Sequence, residues 1–164
     1  MVFYLSDSCK KIGKFYDFLS KIPDGCKANL RLYIDGPGGF AVESLRYLDF
    51  FERYEGNITI LAGWAIASAD ANLFLLSDTK KLIKPDTICI IHKSALPYHD
   101  ENDLELKTAH FIDTVFLQKY RKILNEQEYK ILESGEDLIL QGKRLEQVTR
   151  LAEKVFWKKG KSAQ

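Results

Sequence analysis

The chain has 164 residues, 46% hydrophobic and 29% charged, which is the size and balance of one folded domain with a substantial core. Lys and Arg number 24 against 23 Asp and Glu, a formal net charge of +1, so charge alone points to neither nucleic acid nor a membrane surface. The three cysteines, Cys9, Cys26 and Cys89, lack metal-ligand spacing, no apolar run reaches membrane-spanning length, and no signal segment is expected, since the apolar run Val2–Leu5 is too short for one. A reducing, cytoplasmic setting without a disulfide framework is expected.

In chain order, Val2–Leu5 reads as a short strand and Ser6, Asp7 or Ser8 as the cap of a following helix. Ile12, Phe15, Phe18, Leu19 and Ile22 recur at three and four residues, so that helix is amphipathic, and Pro23-Asp24-Gly25 stops it. Leu30–Ile34 is a strand that runs into Asp35-Gly36-Pro37-Gly38-Gly39. Ala41, Val42, Leu45, Leu48 and Phe51 stripe the next helix. Ile58–Leu61 is a strand leading to Gly63, and a mostly buried helix follows over about 68–76. Lys81–Ile83 reads as a short strand, Pro85-Asp86 as a turn, and Ile88–Ile91 as a buried strand that stops at His92. Residues 93–102 are loop-like. A long helix is expected over about 103–124, then a short helix capped by Asn125 and broken at Ser134-Gly135. Asp137–Leu140 is a brief extended piece, and a last amphipathic helix begins at Gly142, striped by Leu145, Val148, Leu151, Ala152, Val155 and Phe156. Strands that alternate with helices and are apolar throughout predict an α/β chain with a mostly parallel sheet covered on both faces.

Chemistry concentrates where two apolar runs stop in small residues just before helices, at Gly36–Gly39 and at Gly63–Ala69. Glycine permits positive φ and close approach, and the first amides of a helix have no intrahelical acceptor, so two such turns side by side make an oxyanion pocket. Of three histidines, His92 stands at the end of a buried strand, where α/β sheets keep functional groups. His99 and His110 read as hydrogen-bonded or solvent-facing residues without a chemical role. No second ligand stands at metal spacing from His92, no Lys-Ser/Thr follows the glycine run, and the glycine spacing does not fit a dinucleotide fingerprint. What remains is acyl transfer, with helix-opening amides and a histidine base, and neither a cofactor nor a metal is implied.

These segments resemble the ClpP-like serine peptidases, the proteolytic subunit of the Clp protease on the ClpP/crotonase fold. Ile34-Asp35-Gly36-Pro37-Gly38-Gly39 is similar to the family's Ile-Asn-Ser-Pro-Gly-Gly turn, and Gly63-Trp64-Ala65-Ile66-Ala67 to its Gly-x-Ala-x-Ser nucleophile turn. Pro85 to Ile91-His92 resembles the histidine strand, and Gly135–Leu140 the segment bearing the triad aspartate. The resemblance covers roughly Val2 to Leu140, and it implies repeated strand-strand-helix units around a mostly parallel sheet, with a long handle helix after His92. It further implies His92 as general base and Asp137 as the acid that orients it. Gly38 or Gly39 and the Ser68 amide would form the oxyanion hole. For Asp137 the plainer reading is a surface carboxylate; Asp100, Asp103 and Asp113 are nearby alternatives without a motif.

The same carry-over puts Ala67 at the nucleophile position, 25 residues before His92 as in the family, and alanine has no nucleophilic atom. Three explanations compete. An introduced Ser-to-Ala substitution is preferred, because base and acid are retained. A natural non-catalytic subunit is second. A one-residue slip making Ser68 the nucleophile is third, because a helix turns about 100° per residue and would aim the hydroxyl away. The chain starts almost at the first strand, so the family's axial loops are expected to be largely missing. The Gly-Gly pair is absent after His92, and a helix over about 142–158 replaces the family's C-terminal strand. These departures weigh against an AAA+ unfoldase partner and a double-heptamer barrel. Self-association is still expected, from apolar residues on several sides of the long helix. The resulting expectation is a single-domain peptidase subunit over residues 1–164 that acts on peptides or unfolded protein. A scaffold that binds peptides without cleaving them is the alternative, and a crotonase-type acyl-CoA enzyme is disfavoured.

Overall fold

The computed structural model describes residues 2–6, 21–22, 25, 27–94 and 104–157. Most of the amphipathic helix expected from Ile12 to Ile22, residues 95–103 with His99, Asp100 and Asp103, and the polar tail lie outside the described residues. Among the described residues six strands form one sheet: β1 (Val2–Ser6), β2 (Leu30–Gly36), β3 (Ile58–Ala67), β4 (Lys80–Leu82), β5 (Ile88–Ile91) and β6 (Leu138–Gln141). Their spatial order is β1-β2-β3-β5-β6, with β4 also on β3. Every pairing is parallel except β5 with β6. The helices are α1 (Ala41–Arg53), α2 (Ala69–Leu76), α3 (Leu104–Tyr120), α4 (Glu126–Ser134) and α5 (Gly142–Phe156).

The core lies between one face of this sheet and the helices. Leu30, Leu32 and Ile34 of β2 and Ile58, Ile60 and Ala62 of β3 point into it with period two. Helix α2 is buried along its whole length, as an apolar helix must be when sheet and helices surround it. Its polar Asn72 is satisfied by the Tyr120 hydroxyl, which donates to Oδ1 at 2.7 Å. Two expectations are corrected. The buried face of α1 is Ser44, Tyr47, Leu48 and Phe51, leaving Val42 at the surface, because the two large rings, 6.4 Å apart, claim the core side. The sheet is not covered on both faces by the described residues: Arg31 is exposed, Tyr33 half-exposed, and with Leu61, Lys80 and Leu82 they line a shallow concavity on the far side.

Local signals hold the C-terminal part. Asn125 and Glu128 form a reciprocal capping box at α4, and Gly135 ends it in the left-handed region at φ 92°. Arg144 at the start of α5 grips the Glu128 carboxylate with two nitrogens, at 2.6 and 2.5 Å, fastening α4 to α5 across β6. That guanidinium holds the Glu128 carboxyl below its ordinary value. No helix among the described residues is long and apolar enough to cross a membrane.

Candidate active site

The two small-residue turns meet at the ends of β2 and β3. The β2–β3 ladder pairs Ile34 with Ala62 and then Gly36 with Ile66, so β3 carries two extra residues there, a bulge. The Asp35 side chain occupies it: Oδ1 accepts the Ala65 N–H at 3.0 Å and Oδ2 accepts the Tyr33 hydroxyl at 3.2 Å. Gly63 is needed for space, since a Cβ there would stand 2.3 Å from Asp35 Cγ. The aspartate of the first turn is therefore a brace that shapes the second.

Beyond the bulge, Ala67 completes β3 opposite Ile90, and the chain reverses at Ser68 into α2. Ser68 has φ 55° and ψ −124°, and it is the only non-glycine residue among those described with positive φ. Those angles belong to the first central position of a type II′ turn, where glycine is the usual occupant. Serine commonly caps a helix start with its own oxygen, yet Ser68 makes no side-chain capping bond. Its hydroxyl is not committed to the helix.

This geometry departs from the sequence expectation at two points. The residue at the turn is Ser68, and Ala67 still belongs to the strand. The helical-rotation objection to Ser68 does not apply, because its direction is set by a positive-φ turn before the helix begins. The Ser68 N–H, expected in the oxyanion hole, donates to the Ile90 carbonyl at 3.0 Å and is spent in the sheet. The next amide, that of Ala69, opens α2 and has no intrahelical acceptor. Gly38 is pressed against this junction at φ 88°: a Cβ would lie 2.3 Å from the Ala67 carbonyl oxygen, 2.7 Å from the Ala69 nitrogen and 2.7 Å from Ser68 Cβ. The two turns sensed in the sequence are thus in contact, at Gly38 and Ser68.

His92 follows the last residue of β5. The antiparallel register runs from Ile88 opposite Gln141 to Ile91 opposite Leu138; His92 follows the end of β5 and Asp137 precedes the start of β6. In this state, however, His92 Nδ1 bonds the Lys93 carbonyl at 2.6 Å, and Asp137 is solvent-exposed. A carbonyl only accepts, so Nδ1 is the donor in this bond, and in the neutral imidazole Nε2 is then the acceptor. The segment is anchored on both sides. Lys93 Nζ donates to the Glu133 carbonyl at 2.5 Å, and Ser94 donates through N and Oγ to Asp113 Oδ1 at 2.9 and 2.8 Å. Asp113 is accordingly an anchor. His110 is exposed on α3.

Cys89 is fully buried, which pushes its thiol far up, and it forms no disulfide. No group of three His, Cys, Asp or Glu among the described residues is arranged to hold a metal ion. Sequence reasoning did not single out the Ala69 amide or Asp70. A visible signal for the second was a carboxylate placed inside the otherwise apolar run from Ala69 to Leu76.

This chain resembles a solved structure described as the crystal structure of the ClpP protease catalytic domain from Plasmodium falciparum, with a TM-score of 0.69 and 18% identity. The match covers 90% of this chain and 80% of that one. No protein-family model and no curated protein matches the sequence. At that identity the likeness establishes the fold: a mixed α/β chain of ClpP-like architecture.

Proposed function

We propose that the chain is a ClpP-like serine peptidase whose nucleophile is Ser68, with His92 as general base, Asp137 as its carboxylate partner, and the Gly39 and Ala69 amides as oxyanion donors. The observation that carries this reading is the Ser68 turn, a serine held at positive φ between a strand and a helix with its hydroxyl left out of capping. Positions of this kind cost about 1–3 kcal/mol and persist where the strain serves a function. The reading departs from the expectation at position 67 and keeps His92 and Asp137.

The chemistry follows from the arrangement. Ser68 Oγ attacks the peptide carbonyl while its proton passes to His92 Nε2. The carbonyl oxygen becomes an oxyanion facing amides that are already fixed in place, which is where such donors contribute most. His92 then gives the proton to the departing amine, leaving an acyl group on Ser68. Water, deprotonated by the same nitrogen, hydrolyses the ester and restores the hydroxyl. Asp137 stabilises the imidazolium once His92 Nδ1 turns from the Lys93 carbonyl to the carboxylate that precedes β6. The substrate is a peptide or an unfolded segment. Exposed Phe111 on α3 and Ile139 on β6 support self-association of the chain. An AAA+ unfoldase is not needed for the chemistry proposed.

A peptide-binding scaffold without catalysis is the second reading, favoured by the His92 bond to Lys93 in place of Asp137. Labelling with a fluorophosphonate probe separates the readings. The chain as given is expected to be labelled, and Ser68→Ala and His92→Ala are not. Labelling that appears only in Ala67→Ser would return the nucleophile to position 67 and mean a site silenced by one atom. No labelling of the chain or of Ala67→Ser would leave the scaffold.

A further inference from the structure

The peptide between Lys93 and Ser94 is gripped at both of its polar atoms. Its carbonyl oxygen accepts from His92 Nδ1 at 2.6 Å, and its N–H, that of Ser94, donates to Asp113 Oδ1 at 2.9 Å. A peptide unit is planar, so a group that fixes its N–H also fixes the direction of its carbonyl. Ser94 Oγ donates to the same carboxylate oxygen at 2.8 Å, which leaves that plane little freedom to turn. One carboxylate therefore decides where the acceptor of the His92 imidazole points.

Asp113 sits on a firm support. It is half-buried on α3, where its neighbours Ile112 and Phe116 reach the core. About two turns further along the same side of α3, the Tyr120 hydroxyl holds Asn72 of α2, the helix that Ser68 opens. One helix thus holds both the nucleophile's helix and the segment after the base. A neutral imidazole carries its proton on either nitrogen, and the hydrogen bond made by one decides which of them is the base. We propose that Asp113 is a positioning residue for His92. Through the Lys93–Ser94 peptide it keeps an acceptor before Nδ1, and so keeps Nε2 unprotonated for the Ser68 hydroxyl until the imidazolium forms and Nδ1 turns to Asp137. This rests on the peptidase reading above, and Asp113 itself touches no reacting atom.

The test reads the His92 tautomer by nitrogen NMR of the isotope-labelled chain under mildly alkaline conditions, with the rate of fluorophosphonate labelling and thermal stability measured alongside. The chain has three histidines, and His92→Gln identifies the signals of position 92. The parent is expected to show the proton on Nδ1. Asp113→Ala is expected to lose that signature and to lower the limiting labelling rate by about 100-fold, the lower end of what a general base contributes, with probe binding changed less than about threefold. Asp113→Asn keeps an oxygen that accepts from both Ser94 donors, and is expected to keep the Nδ1 signature and a rate within about tenfold of the parent. Should Asp113→Ala fail to fold, Asp113→Leu takes its place, a side chain of similar outline without an acceptor. An unchanged His92 tautomer, or an unchanged limiting rate, in the Ala or Leu variant would overturn the proposal. So would equal losses in the Asn variant and the Ala or Leu variant, because then only packing is at stake. A parent that is not labelled overturns the peptidase reading instead, and the nitrogen spectrum still shows whether Asp113 acts on His92.

Discussion

If Ser68 is the strained residue at the turn, replacing it by glycine should stabilise the protein while abolishing its labelling. A side chain in the left-handed region costs about 1–2 kcal/mol relative to glycine, and Ser68 sits at φ 55°. Glycine gives back about 0.5–1 kcal/mol through the greater freedom of the unfolded chain. The hydroxyl makes no capping bond, so Ser68→Ala should change stability by less than about 0.5 kcal/mol while keeping the strain. Ser68→Gly is therefore expected to exceed Ser68→Ala by about 1 kcal/mol, or roughly 2–4 °C in Tm for a chain of this length. Position 67 provides the opposite sign. Ala67 lies in β3, and Ala67→Gly should destabilise by about 0.5–1 kcal/mol. Urea denaturation with unchanged m values reads all three variants without reference to activity. Equal stability of Ser68→Gly and Ser68→Ala, or stabilisation by Ala67→Gly, would refute the placement of the turn.

Other perturbations follow from the same geometry. Asp70 has a folded-state value of about 6 against an ordinary 3.8, so the folded chain holds its proton more tightly. The stability from this group is complete below about pH 3.8 and is lost as pH rises through about 6. At about 1.4 kcal/mol per pH unit the loss is roughly 3 kcal/mol, and Asp70→Asn is spared it; denaturation curves for the two proteins should diverge from pH 4 to pH 7, and parallel curves would count against a buried carboxyl. Gly38→Ala should cost more than about 2 kcal/mol, since its Cβ would enter backbone atoms as well as a left-handed conformation. Gly135→Ala, at a similar φ with open space around it, should cost only about 1 kcal/mol in the same urea assay. Asn125→Ala removes the capping box of α4 and should cost about 1 kcal/mol by thermal denaturation, more if the Arg144 grip on Glu128 loosens with it.

The sequence by itself determined the order of elements, the stops and caps, and the position of the two small-residue turns. Apolar period, glycine and proline positions and Asn125 are local quantities, written in neighbouring residues, and they located β2 to β6, the Gly135 stop and the last helix from Gly142. The turns Gly36–Gly39 and Gly63–Ala69 and the end of β5 at His92 were legible for the same reason, whereas Asp137 entered only through the family resemblance. Tertiary structure decided what depends on a single residue of register. Two residues bulge out of β3 to receive the Asp35 side chain, and the positive-φ turn falls at Ser68, one residue after the strand ends at Ala67. Counting from Gly63 or back from His92 has no access to where the strand gives way to the turn. The side of α1 that faces inward, the use of the Ser68 amide by Ile90, and the press of Gly38 against Ala67, Ser68 and Ala69 are likewise contacts between segments distant along the chain. Their cause is three-dimensional: packing and backbone hydrogen bonding choose among neighbours that a linear pattern leaves equivalent.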